Sequence, residues 1–137
     1  MATSAINVLQ LVSRTLVANS TVQTFVGPRV LTGHRFDASE NTIEMPVIII
    51  APQGGSAMMN KIKQAQTFHL YAYSKTSEGQ ALDLYAAAFD ALCSTRLYNA
   101  NISTAGYAYE TDRPRSGYND RLIAWYARGT WTAQAAG

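Results

Sequence analysis

A strand pattern followed at once by an amphipathic helix, between residues 61 and 93, constrains the fold more than any other stretch. Residues 66–73 alternate between two sets of side chains with strand-favouring types, which predicts a half-buried β-strand. After a polar break, Ser77 and Gln80 have the spacing of a helix-capping box. The apolar residues that follow recur at helical spacing and form a single stripe: Ala81, Leu84, Tyr85, Ala88, Phe89 and Leu92. We therefore expect this strand and helix to form the centre of the core.

The other patterns predict one more helix and four more strands. A helix capped by Thr3 or Ser4 precedes a short helical turn capped by Ser20, and Gly27-Pro28 ends this segment. Strands are predicted at 30–31, 47–51, 107–112 and 121–132, and the β-branched run at 47–51 is typical of a strand covered on both faces. The prediction is a single α+β domain, residues 1–137, with a mainly antiparallel sheet of four to five strands and two helices packed on one face.

Composition excludes several classes of protein. Apolar residues make up 47% of the 137 and charged residues 15%, which excludes a disordered chain. The net charge of +2 is too small to indicate nucleic-acid binding by itself. The single cysteine, Cys93, is expected to be a buried structural thiol. No signal peptide and no apolar run of membrane-spanning length is recognised, so we expect no membrane partner and a cytosolic origin.

No pattern in the chain indicates catalysis. The two histidines do not have the spacing of a zinc site, and neither a nucleophile motif nor a phosphate loop occurs, so no enzyme activity, catalytic residue, metal or cofactor is expected. Glu110 and Asp112 are predicted to share a strand face, where they could bind a cation or, more simply, pair with Arg113 or Arg121. Residues 113–120 are predicted to form a turn-rich connection. The arginines in and beside it, Arg113, Arg115 and Arg121, could contact phosphate, an acidic neighbouring subunit or only solvent.

Two irregular segments, 32–45 and 53–61, are longer than hairpins need, and we expect them to form extended loops that contact other proteins. The tail, 133–137, is expected to be flexible. An alternative is that the apolar side chains of the two loops fold back onto the core. The candidate interface residues are Phe36, Ile43, Gln53, Met58, Met59, Lys61, Arg113 and Arg115.

The order of several weak motifs over residues 5–132 resembles one family. An N-terminal helix runs into Val-Gly-Pro-Arg-Val at 26–30, and a β-branched strand follows Pro46. A Phe-x-Leu-x-Ala-Tyr strand at 68–73, an Ala/Leu helix ending at Cys93 and an Asp-Arg-x-x-x-Trp-Tyr strand at 120–126 complete the series. In this order they are similar to the tail terminator (tail-completion, or tail-to-head joining) proteins of long-tailed bacteriophages and gene transfer agents.

The resemblance implies an α+β virion protein that forms a ring, usually a homohexamer, at the head-proximal end of the tail tube. Such a ring stops tube growth and joins the tail to the head. The implied partners are further copies of the chain, the major tail tube protein and the head-completion connector, with DNA passing through the lumen without sequence-specific binding. Assembly would take place in the host bacterial cytoplasm. Alternatives are another neck ring protein, such as a head-completion stopper, or a small ligand-binding domain.

Overall fold

The computed structural model describes residues 8–27, 29–32, 45–58, 63–94, 105–120 and 123–136. Three helices and five strands occur in these ranges: α1 Val8–Ala18, α2 Ser20–Val26, β1 Val30–Thr32, β2 Val47–Met58, β3 Lys63–Ser74, α3 Glu78–Ser94, β4 Ala105–Asn119 and β5 Ala124–Ala136. The strands form one sheet in the order β1-β2-β3-β5-β4. Only the β1–β2 pair is parallel among these strands, so the predicted α+β class is confirmed.

The chain crosses the sheet through α3. Because β5 pairs antiparallel with both β3 and β4, the strands before and after α3 run parallel to each other with β5 inserted between them. This arrangement makes β5 a central strand and β4 an edge strand of the described sheet. It also places α3 on one sheet face, together with α1 and α2.

The main core lies between the three helices and that sheet face. The predicted stripe of α3 is confirmed, since all its members are buried except Phe89, which is partly buried and packs against the same cluster. On β3, the alternate residues Phe68, Leu70 and Ala72 pack in this core, as the alternation predicted. The largest fully buried residues of this core from the other elements are Val12, Leu16, Ile48, Ile50, Phe68, Leu70 and Trp131.

A second, smaller cluster lies on the opposite sheet face. It consists of Val47, Ile49, Tyr73 and Ala124, all buried. Since Ile48 and Ile50 face the helices, the first part of β2 is buried on both faces, as its β-branched run predicted.

The helix caps differ in detail from the sequence interpretation. The backbone N–H of Gln80 donates to Ser77 Oγ at 3.0 Å, which confirms the cap of α3. The Gln80 side chain instead accepts a hydrogen bond from Ser74 Oγ, at the buried end of β3. Asn19, not Ser20, caps α2, because its Oδ1 accepts from Val22 N at 3.1 Å. The expected caps of the first helix, Thr3 and Ser4, lie outside the described residues.

Strand β2 extends through a segment predicted to be a loop. The interpretation of 53–61 as an irregular loop is wrong up to Met58, because β2 continues to pair with β3 after a register shift between Pro52 and Gly54. The bulge at Gln53 absorbs one residue, and β1 pairs only with residues 48–50. Pro52 therefore lies where β2 has a described neighbour on one side only, a position at which proline is tolerated.

The C-terminal segment is also part of the sheet. The expectation of a flexible tail is wrong over residues 133–136, since β5 pairs with both β3 and β4 as far as Ala136. Likewise, the turn predicted over 113–120 is the second half of β4, which carries two register shifts. Backbone pairing on neighbouring strands holds these segments, and small or polar side chains give little sign of it.

Gly129 on β5 lies directly beneath the ring of Tyr85. A Cβ atom at this position would clash with Tyr85 Oη and lie 2.7 Å from its Cζ. We expect Gly129→Ala to lower the free energy of unfolding by about 1–3 kcal/mol, because this overpacks the contact between α3 and the sheet. The measurement is chemical denaturation of the purified protein.

The matched control is Gly79→Ala in the first turn of α3, where the nearest atom to an added Cβ is Ser77 Oγ at 3.8 Å. Since alanine is favoured over glycine in helices, this variant should equal the wild type or exceed it by up to about 1 kcal/mol. Equal stabilities for the two variants would contradict the packing argument.

Candidate interaction surfaces

The structure separates the candidate interface residues from one another. Gln53 is exposed at the bulge of β2, whereas Arg113 and Arg115 lie on β4 at the other end of the sheet. Met58 is the last residue of β2. The four others, Phe36, Ile43, Met59 and Lys61, lie outside the described residues, so the proposal that the two irregular segments are contact surfaces remains a prediction for them.

A chain of hydrogen bonds connects the central strand, α3 and the edge strand. Trp131 Nε1 donates to Tyr85 Oη at 2.8 Å, and Tyr85 Oη donates to Glu110 Oε2 at 2.5 Å. Arg113 Nη1 donates to Glu110 Oε1 at 2.7 Å. The Glu110 side chain is only 6% exposed, whereas that of Arg113 is 75% exposed. The guanidinium also lies 5.3 Å from the centre of the Phe89 ring, so Arg113 compensates a nearly buried carboxylate.

Glu110 and Asp112 do not share a strand face. The pairing of β4 with β5 shifts between them, so that Glu110 is opposite Trp131 and Asp112 is opposite the adjacent Thr130. The extra residue reverses the alternation, because one inserted residue exchanges the two faces of a strand. The predicted pairing of a carboxylate with Arg113 is found for Glu110. Among the described residues, no group of three or more His, Cys, Asp or Glu could hold a metal ion.

An open cleft of about 220 Å³ lies beside this hydrogen-bond chain, between α3 and β4. Its lining is mainly apolar, with Arg113 and Asp90 as its charged residues: Leu82, Tyr85, Ala86, Phe89, Asp90, Arg113 and Pro114. Leu82 is among the large apolar side chains that remain exposed. The cleft is therefore suited to an apolar side chain of another protein.

The sheet face turned away from the helices is called the open face here. Its described members on β3, β4 and β5 are Ala65, Thr67, His69, Tyr71, Tyr73, Tyr107, Tyr109, Asp112, Arg115, Gly117, Asn119, Ala124, Tyr126, Arg128, Thr130, Thr132 and Gln134. One end is aromatic, with the rings of Tyr71 and Tyr73 stacked at 5.5 Å and that of Tyr126 about 6 Å from both. Gly117 leaves room for Tyr126, since a Cβ there would lie 2.7 Å from Tyr126 Oη.

The rest of the open face is a row of hydrogen-bonding side chains. His69 Nδ1 and Thr130 Oγ1 are 3.0 Å apart, and Tyr107 Oη donates to Gln134 Oε1 at 2.9 Å. Partial burial, followed by the charge of Arg128, lowers the pKa of His69, which favours its neutral form. Tyr107 and Tyr109 are 54% and 41% exposed. A surface of exposed tyrosines and polar groups is typical of a protein interface.

Sequence reasoning placed only Arg115 of this face among the interface residues. Tyr107, Tyr109 and Arg128 were missed, although the alternation of the last two strands already separated them from the core residues. The expectation for Cys93 is wrong, since it is exposed near the end of α3. Partial burial and then the nearby Glu110 and Asp90 charges raise the pKa of its thiol, which disfavours the reactive thiolate.

Comparisons with known proteins find a similar fold but no similar sequence. No protein-family model matches the chain, and none of the curated proteins does. Among solved structures, the fold is similar to that of a chain in the virion of a native gene transfer agent (GTA) particle, with a TM-score of 0.66. The sequence identity is 15%, and the match covers 92% of each chain. At this identity the likeness establishes a shared fold. None of the described helices is long and apolar enough to cross a membrane.

Tyr85 should make the stability of the protein depend on alkaline pH. Burial is the main cause that raises the pKa of Tyr85 above its ordinary value of 10.0, and the hydrogen bond to Glu110 adds to it. Above pH 10 the unfolded chain therefore loses a proton that the folded protein keeps, so stability falls by about 1.4 kcal/mol per pH unit for this group. Burial also raises the pKa of Tyr73, so this residue adds to the loss of stability at alkaline pH.

We expect Tyr85→Phe to cost about 1–3 kcal/mol near neutral pH, because Trp131 Nε1 and Glu110 lose a buried partner. The same variant should lose stability less steeply than the wild type above pH 10. Chemical denaturation at several pH values on either side of 10 measures both effects, with Tyr73→Phe as the comparison for the slope alone. Parallel curves for wild type and Tyr85→Phe would show that this tyrosine does not couple stability to pH.

Proposed function

We propose that this chain is a structural virion protein that acts as a tail terminator, forming a ring at the head-proximal end of a phage-like tail tube. The observation that carries this proposal is the shared fold with a chain of a GTA virion, which extends over 92% of both proteins. Because the match covers nearly all of both chains, the similarity extends over the whole series of helices and strands and is not limited to one motif. The motif order from the first helix to β5, which resembles tail terminators, supports the same function independently.

The surfaces of the subunit suit a protein that works through contacts. The apolar cleft lies on the helix side of the sheet, and the polar, tyrosine-rich open face lies on the other. A ring requires two different surfaces of each subunit to meet, and this subunit offers two of distinct character. The polar cluster around Glu110 connects α3 to the sheet, so the charges of Glu110 and Arg113 stabilise the fold. These features support a structural role without enzymatic activity.

In this proposal the partners are other copies of the chain, in a hexamer, together with the tail tube protein on one side and the head-completion connector on the other. The ring stops polymerisation of the tube and then joins the tail to the head, with DNA passing through its lumen. The protein is then a component of the neck of the virion. The main alternative is a head-completion stopper, another ring of the neck, because the fold shared with a GTA virion chain supports a virion protein of either kind. The motif order that resembles tail terminators favours the terminator.

Particles assembled without this protein distinguish a tail terminator from a head-completion stopper. For a terminator, we expect electron microscopy of the deletion strain to show tails longer than those of the wild type, together with heads that carry no tail. Supplying the gene in trans should restore the normal length. Tails of normal length that are not attached to heads would instead identify a stopper.

Binding of the purified protein to duplex DNA should be weak. A net charge of +2 gives few phosphate contacts and little counterion release, so we expect a Kd weaker than about 1 µM at physiological salt. Fluorescence anisotropy with a labelled duplex measures it, and repetition at low salt provides the control that the assay detects electrostatic binding. A sub-micromolar Kd at physiological salt would contradict passive passage of DNA through the ring.

A further inference from the structure

Arg115 and Arg128 lie directly opposite each other on the open face. They are register partners on the antiparallel strands β4 and β5. Side chains at such positions start about 5 Å apart, and like charges there repel each other. In the part of the chain that the structure describes, neither guanidinium forms an ion pair or a hydrogen bond. Arg113, only two residues away on the same strand, is compensated by Glu110 at 2.7 Å. Among the described residues, this arginine pair therefore has no counterion.

The neighbouring side chains do not neutralise this pair. On β3, the uncharged Tyr71 is opposite Arg128, and the nearby His69 carries no negative charge in either protonation state. Asp112 is opposite Thr130, one step further along the open face, and makes no ion pair with either arginine. An oxyanion placed between the two guanidinium groups would remove their repulsion. A carboxylate suits this position, since the arginine fork donates two parallel hydrogen bonds to it.

A carboxylate without a counterion lies on the opposite side of the same subunit. Asp83 is exposed on α3, which packs on the helix side of the sheet, and it forms no ion pair or hydrogen bond with any residue that the structure describes. The exposed Leu82 and Ala86 flank it. The arginine pair and Asp83 cannot meet within one chain because the sheet separates them. They can meet between two copies, in a contact that joins different surfaces.

We infer that Arg115 and Arg128 bind the Asp83 carboxylate of a neighbouring copy, so that α3 of one subunit covers the open face of the next. Leu82 and Ala86 then contact the rings beside the arginines, those of Tyr71, which is opposite Arg128, and of Tyr126, two residues from it. A second copy is favoured over a nucleic acid, since a net charge of +2 gives little attraction for a polyanion, whereas the chain itself supplies an exposed carboxylate of matching charge. This inference rests on the proposed ring and names the two surfaces that would build it.

Charge reversal on each surface, followed by reversal of both, tests the contact. Arg115→Glu/Arg128→Glu should raise the dissociation constant of the assembly by at least about tenfold, and Asp83→Arg should do the same. The triple variant that carries all three changes should recover most of the loss, because the charges are again complementary. Arg14→Glu, a reversal on the exposed side of α1, should leave assembly unchanged. Sedimentation over a range of concentrations measures the assembly, and thermal unfolding verifies that each variant is folded.

Disulfide trapping gives a second readout that detects weak contacts. In a Cys93→Ser background, a tagged Asp83→Cys protein is mixed with an untagged Arg128→Cys protein and oxidised. The inference predicts a disulfide between the two proteins and little between identical ones. It is overturned if this disulfide does not form, or if the charge reversals leave a wild-type assembly intact. It is equally overturned if they weaken duplex binding and not assembly. The tail-length experiment does not depend on which residues form the contact, so it tests the proposed function separately from this inference.

Discussion

The contact between Tyr85 and the central strand is the interaction on which the arrangement of this subunit depends. Its ring lies over Gly129, and its hydroxyl accepts from Trp131 and donates to Glu110. One side chain of α3 thereby joins the middle of the sheet to its edge strand. Because Trp131 is fully buried and Glu110 nearly so, their polar atoms need these partners, and leaving either unpaired would lower the stability of the fold. The position of α3 over the sheet is therefore set by hydrogen bonding as well as by apolar burial.

The irregularities of the sheet decide which face the charged residues of β4 occupy. Glu110 is in the regular register of β4 and contacts Tyr85, the register shift after it places Asp112 on the open face, and a further shift leads to Arg115 opposite Arg128. A regular strand could not place Glu110 and Asp112 on different faces. The bulges of β4 thus divide its charged residues between the core side, where Glu110 and Arg113 form an ion pair, and the open face, where Arg115 is opposite Arg128 with no counterion among the described residues.

This division connects the fold to the proposed function. Three helices cover one face of the sheet, while the other face presents tyrosines, threonines and arginines. Such a subunit has two unlike surfaces, the outer side of α3 and the open face, and unlike surfaces are what a ring of identical subunits requires. A chain with a similar fold is present in the virion of a gene transfer agent particle. The low charge of the chain is consistent with extensive contact.

The sequence by itself determined the elements whose side chains repeat regularly. Periodicity located β3, α3 and the doubly buried start of β2, and with them the α+β class, because burial of a regular face is visible in residue type. Arg113 and Arg115 were proposed as contact residues because they are charges in a segment predicted to be a turn; that segment belongs to β4, and their contact with another protein remains a prediction. The continuation of β2 through Pro52, the end of β5 at Ala136 and the exposure of Cys93 could not be predicted. Only the tertiary structure decided these features, together with the pairing of Arg115 with Arg128, because they depend on backbone pairing, bulges and neighbours distant in the chain.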